Sequence, residues 1–156
     1  MTNVDLLSRV QSNEGLYVIL GLKNGRYAEQ KIVATREEFD ELAAQYNGKG
    51  WDVYFGVAKY AELKEKEFRK KENVLNVKSL WIDLDCGPTK AEINPKTGRP
   101  DGYIDQATAL QELQKFCKTI GLPKPIIVSS GRGIHVYWPL TAPMERSEWE
   151  SFALRL

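Results

Sequence analysis

The chain has 156 residues, with 22 Lys and Arg against 21 Asp and Glu and a formal net charge of +1. That length fits one domain able to bury a real core, and the charge does not mark a nucleic-acid binder, so any such binding must come from local basic patches. No apolar run approaches the roughly 18–20 residues of a membrane span, the N-terminus lacks the regions of a signal peptide, and Cys86 and Cys117 form neither a CxxC pair nor a zinc pattern, so a reducing cytoplasm is expected and a zinc site is not.

In chain order, residues 1–13 read as a short amphipathic helix or arm, with Leu6, Leu7 and Val10 able to cover a core edge. Asn24-Gly25 then separates two apolar-rich runs, Leu16 to Leu22 and Tyr27 to Ala34. This pair is the favoured chemistry of a two-residue hairpin turn, in which both central residues need positive φ. Thr35 and Glu38 fit a capping box, and Phe39, Leu42, Ala43 and Tyr46 recur at helical spacing until Asn47-Gly48-Lys49-Gly50 ends the helix. Trp51 to Ala58 reads as a strand with Val53, Phe55 and Val57 on one face.

Lys59 to Asn73 is dense in charge: Lys64, Lys66, Arg69, Lys70 and Lys71 stand against Glu62, Glu65, Glu67 and Glu72. It fits a solvated helix with i, i+4 pairs better than the alternative, a phosphate-tracking patch. Cys86 to Gly102 is rich in Gly, Pro and polar residues and carries Lys90, Lys96 and Arg99. A segment of that length is either a loop that grips an anionic substrate or a disordered insertion. Asp105 caps the next helix, whose apolar stripe is Ala107, Leu110, Leu113, Cys117 and Ile120, and Gly121 with Pro123 ends it. Cys117 on that stripe reads as core rather than nucleophile. A short strand, Pro125 to Ser129, a turn, and a returning strand, Ile134 to Leu140, follow. Thr141 and Pro143 are expected to start a last helix bearing Trp149, Phe152, Ala153 and Leu156. That helix carries no stop signal, so the chain is expected to be a piece of a longer protein.

Two stretches carry chemistry. Leu80-Trp81-Ile82-Asp83-Leu84-Asp85 reads as a buried strand with Asp83 and Asp85 on one face, their Cα atoms roughly 6.5–7 Å apart. Both carboxylates can converge on one hard divalent cation, Mg²⁺ or Mn²⁺. Carboxylates so deep in apolar sequence are expected to need a metal or a basic partner; a strand end turning into Cys86-Gly87-Pro88 is the plainer alternative. The second stretch is Ser129-Ser130-Gly131-Arg132-Gly133-Ile134-His135-Val136-Tyr137-Trp138. Gly131 and Gly133 let backbone amides approach an anion. Ser129, Ser130 and Arg132 add donors, and Arg suits phosphate. His135, the one histidine, shares a strand face with Tyr137 and can donate to a phosphate or shuttle a proton. A plain Gly-rich hairpin with a satisfied histidine is the alternative.

Taken in order, Trp81-Ile82-Asp83-Leu84-Asp85 and Ser130-Gly131-Arg132-Gly133-Ile134-His135-Val136-Tyr137-Trp138 resemble the first two motifs of the archaeo-eukaryotic primase superfamily, most of all the primase–polymerase domains of phages and plasmids. The matched region runs from about Trp51 to the end. The resemblance implies an α/β (in stricter terms α+β) fold, a mixed, mostly antiparallel sheet flanked by helices. Residues 1–156 would be the N-terminal part of one catalytic domain. It implies that Asp83 and Asp85 are metal ligands and that Ser130, Arg132 and His135 bind a triphosphate. The family's third motif, another metal-binding Asp further downstream, is absent.

The activity so implied is metal-dependent, template-directed nucleotidyl transfer with Mg²⁺ or Mn²⁺. The implied partners are nucleoside triphosphates, a single-stranded DNA template and a primer, with a helicase as a companion by analogy. Two other classes fit the residues. One is a non-catalytic DNA-binding replication-initiator module. The other is a two-carboxylate, metal-dependent nuclease or phosphohydrolase, although an aspartyl-nucleophile enzyme would want a Ser or Thr where Cys86-Gly87-Pro88 stands.

Overall fold

Asn24 (φ 52°) and Gly25 (φ 71°) both occupy the left-handed region, the backbone that a two-residue hairpin turn demands and that Asn-Gly adopts at little cost. The turn joins β1 (Tyr17–Lys23) to β2 (Arg26–Val33), with Lys23 opposite Arg26 and Tyr17 opposite Val33. The computed structural model describes residues 3–61 and 69–155. The central part of the charged segment, including Glu62, Lys64, Glu65, Lys66 and Glu67, lies outside the described residues, as does Leu156. The chain forms two compact units, one from the residues up to Ser79 together with those from Leu140 onward, the other from Leu80–Pro139.

In the first unit, α1 (Asn3–Val10) buries Leu6, Leu7 and Val10, as its pattern predicts. β1 is central in a three-stranded antiparallel sheet between β2 and β3 (Asp52–Phe55). The helix α2 (Arg36–Gly48) covers one face of it. It starts where the capping box predicts: the Glu38 amide donates to Thr35 Oγ1 and the Thr35 amide to the Glu38 carboxylate. Leu7, Ile19, Phe39 and Tyr46 form the cluster between them, with Val53 and Phe55 against it. Full burial of one such side chain is worth roughly 1.5–3 kcal/mol. Gly21 is needed on β1 because a Cβ there would lie 2.8 Å from the Trp51 ring.

The charged segment opens differently from either expectation. Lys59 and Tyr60 form a short strand, β4, paired with the start of β5 (Val74–Asp85), and both are buried. A single 3-10 turn, Lys71–Asn73, precedes β5. The helix expected from Thr141 also starts later. The strand β9 (Gly133–Met144) runs on, and α5 covers Arg146–Ala153. Pro143 disfavours helix in the residue before it, so Ala142 stays extended. Trp149 of α5 donates its indole N–H to the Ser79 carbonyl at 2.8 Å.

In the second unit, β8 (Ile126–Ser129) pairs antiparallel with β9, Ser129 opposite Ile134 and Ile126 opposite Tyr137. β9 lies between β8 and β5 in the strand order. Residues 86–102, expected as a loop or a disordered insertion, are folded. They form one helical turn, α3 (Pro88–Ala91), and a two-stranded hairpin, β6 (Ile93–Asn94) with β7 (Arg99–Pro100). The Asn94 amide bridges the hairpin to the Asp101 carboxylate at 2.9 Å. The helix α4 (Gln106–Ile120) begins on an Asp105 cap, whose carboxylate accepts from the Thr108 amide at 2.7 Å, and ends on Gly121 in the left-handed region. Its buried line is Ala109 and Leu113; Ala107 and Ile120, the ends of the expected stripe, are exposed. The ladders β1–β2, β1–β3, β4–β5, β6–β7 and β8–β9 are all antiparallel, which makes the fold the expected α+β.

Candidate active site

The alternation of β5 carries Asp83 and Asp85 on one side of the strand end. Their side chains are 62% and 48% exposed, so they are not the deeply buried carboxylates that the apolar sequence around them suggests. The reason is position: none of the strand's last six residues, Leu80 to Asp85, is buried. The expected basic partners are nonetheless there. Lys90 Nζ of α3 donates to Asp85 Oδ2 at 2.6 Å, and His135 Nε2 on β9 stands 3.6 Å from Asp83 Oδ1. The hydrogen bond that Lys90 donates to Asp85, and then the charge of that carboxylate, hold the Lys90 ammonium above the ordinary lysine pKa. Burial first, then the charges of Asp105, Asp85 and Asp83, push the Cys86 thiol up. Cys86 is therefore a thiol in a negative field, the opposite of an activated nucleophile.

The glycine-rich turn is fastened to the end of this strand. The Cys86 amide donates to the Arg132 carbonyl at 3.0 Å. A Cβ on Gly133 would lie 2.5 Å from the Leu84 carbonyl oxygen, so only glycine lets the turn approach so closely. Gly131 takes φ 87°, and the Ser130 amide donates to the Gly133 carbonyl at 3.0 Å. That amide is spent on the turn itself and is not offered to an anion. Arg132 is exposed, and the His135 ring meets the Tyr137 ring edge-on at 6.5 Å.

Gln106, the first residue of α4, is the site residue that sequence reasoning misses. Its amide Nε2 reaches Ser129 Oγ at 3.1 Å and the Gly133 and Gly131 carbonyls at 3.0 and 3.4 Å. It thus holds both ends of the turn from one side chain. The Asp105 cap announces where α4 starts, but nothing local ties Gln106 to residues more than twenty positions on. Of the three loop cations Lys90, Lys96 and Arg99, Lys90 is the one bonded to a site carboxylate among the described residues; Lys96 and Arg99 are exposed on the hairpin.

Asp83 and Asp85 set two carboxylate groups open to water at this strand end, hard oxygen donors of the type a divalent cation takes, and Asp85 already carries a cationic partner. Among the described residues, no group of three or more His, Cys, Asp or Glu is placed to hold a metal ion by itself.

No protein-family model and no curated protein sequence matches the chain. A solved structure does: the archaeo-eukaryotic primase (AEP) domain of the primase–polymerase of cyanophage S-2L. The superposition has a TM-score of 0.56 at 15% sequence identity and covers 90% of this chain and 60% of that one. The chain thus spans about 60% of the length of that domain. Likeness at that identity speaks for architecture alone: this chain shares an α+β core with that domain.

Proposed function

We propose that this chain is the nucleotide-binding part of a metal-dependent nucleotidyltransferase, a DNA primase or polymerase. The observation that carries the reading is the attachment of the glycine-rich turn to the carboxylate strand. The Cys86–Arg132 backbone bond and the close approach of Gly133 to Leu84 keep Asp83, Asp85, Arg132 and His135 around one strand end. The likeness to a primase–polymerase AEP domain supports it.

In this reading Asp83 and Asp85 hold a divalent metal, Mg²⁺ or Mn²⁺, which when bound supplies Lewis-acid activation of an attacking hydroxyl and neutralises phosphate charge. The chain's own residues position the substrate. Arg132, exposed at the tip of the turn, meets the phosphate oxygens in its planar fork. His135 donates to a phosphate from the strand just beyond. Gln106 keeps the turn in the shape that aims them. The work of these groups is electrostatic and positional, with no covalent intermediate. A template strand supplies base choice by pairing, so contacts from the protein go to sugar and phosphate.

The test is calorimetric titration of a deoxynucleoside triphosphate with Mn²⁺ present, beside Asp83→Asn and Arg132→Met, followed by primer extension. Metal-dependent binding lost in both variants is expected. Salt-sensitive DNA binding indifferent to metal and nucleotide would favour an initiator module instead, and strand degradation without nucleotide addition would favour a nuclease.

A further inference from the structure

We infer that Lys90 is an internal cation for Asp85 that an arriving divalent metal displaces, and that the displaced ammonium then binds the phosphates of the incoming nucleotide. This rests on the nucleotide site proposed above and adds to it a coupling between its two ligands.

Three observations carry it. The Lys90 ammonium lies 2.6 Å from Asp85 Oδ2, on one of the two carboxylates that a metal would need. Both side chains are about half exposed, 44% and 48%. Water competes for such a pair, so it exchanges readily and does not lock the site. The backbone of Lys90, by contrast, is tied to the strand end. The Gly87 amide donates to the Tyr103 carbonyl at 2.8 Å and the Tyr103 amide to the Asp85 carbonyl at 2.9 Å. The Gly102 amide donates to the Lys90 carbonyl at 2.9 Å, and the Lys90 amide to the Gly87 carbonyl at 3.0 Å. Gly102 sits so close to the Asp85 carbonyl that a Cβ there would overlap it. The ammonium can therefore leave Asp85 while its Cα stays beside the carboxylates.

Charge supplies the direction. Without a metal, Lys90 offsets one carboxylate in a site that also holds Asp83. A divalent ion on Asp85 repels the ammonium, and the strongest anion to enter such a site is a polyphosphate. A lysine, with a flexible stem and a compact charge, suits that exchange better than a rigid guanidinium. Metal and triphosphate then favour each other through one side chain, and the coupling is reciprocal.

The experiment compares the intact chain with Lys90→Met, Lys90→Gln and, as a control for net charge, Lys115→Met, an exposed residue of α4. Free Mn²⁺ is counted by electron paramagnetic resonance, and dTTP binding is measured by calorimetry with and without saturating Mn²⁺. Asp85→Asn reports whether Mn²⁺ uses this site, and circular dichroism reports folding. The expected result is Mn²⁺ affinity raised roughly two- to fivefold in both Lys90 variants without nucleotide, and dTTP affinity at saturating Mn²⁺ lowered about tenfold, with Lys115→Met unchanged. Mn²⁺ binding seen only after Lys90 is replaced would overturn the exchange, because the metal would then not displace the ammonium. Mn²⁺ binding that is lost in Asp85→Asn but the same in Lys90 and Lys115 variants would overturn the role of Lys90 and leave the metal site standing. Absence of Mn²⁺ binding from the intact chain and from both Lys90 variants would overturn the nucleotide site and this inference together.

Discussion

His135 Nε2 on β9 and Asp83 Oδ1 on β5 face each other at 3.6 Å. That is too long for a hydrogen bond, so the imidazole is oriented beside the carboxylate without being consumed by it. His135 is 37% exposed and Asp83 62%. The expected outcome of His135→Gln is a change in folding stability within about 0.5 kcal/mol, as for exposed sites in general, with triphosphate affinity reduced about tenfold. Urea denaturation and calorimetric titration of the same variant separate the two effects; a variant that unfolds early would mean that the histidine is structural.

Gln106 gives a prediction of another kind. Its amide bridges Ser129, Gly131 and Gly133, so Gln106→Leu leaves the carbonyls of the turn without this donor. A loss of about 1–2 kcal/mol is expected from the missing hydrogen bonds, together with weaker triphosphate binding although Gln106 need not touch the ligand. Amide hydrogen exchange across 129–133 checks the cause, because exchange should quicken there while α4 stays protected.

The two glycines of the turn are not equivalent. Alanine at Gly133 would put a Cβ 2.5 Å from the Leu84 carbonyl oxygen, whereas at Gly131 nothing lies within 4 Å and only the positive φ opposes it. Gly133→Ala is expected to cost about 2–3 kcal/mol through forced backbone movement, and Gly131→Ala about 1 kcal/mol through backbone strain. Denaturation midpoints of the pair should fall in that order, and the reverse order would mean that the turn does not rest on β5.

Lys59 predicts a pH dependence in the first unit. It is fully buried, its Nζ has no hydrogen-bond partner among the described residues, and it lies 2.8 Å above the Tyr17 ring. Burial first, and then the charge of Arg36, press its pKa down from 10.5 to about 8. Between about pH 8 and 10.5 the unfolded chain holds a proton that the folded chain has released, so stability rises with pH across that window and the gain is absent below it. Lys59→Met should stabilise the protein at pH 7, because it removes a charge that burial disfavours. It should also flatten the rise. Urea melts at pH 7 and pH 10 test both, and an unchanged slope in the variant would remove Lys59 as its source.

What was legible in the sequence is what neighbouring residues settle among themselves. Asn24-Gly25 closes a hairpin, Thr35 and Glu38 cap α2, and Asp105 and Gly121 bound α4, because each interaction spans four residues or fewer. The period-two alternation at the end of β5 put Asp83 and Asp85 on one side for the same reason. The tertiary structure decided the rest. It set how exposed those carboxylates are, joined Lys90 to Asp85, brought Gln106 to a turn 23 to 27 residues away, and buried Lys59 over Tyr17. Each of these depends on partners distant in sequence, or on where an element ends against another, and local propensity carries no record of either.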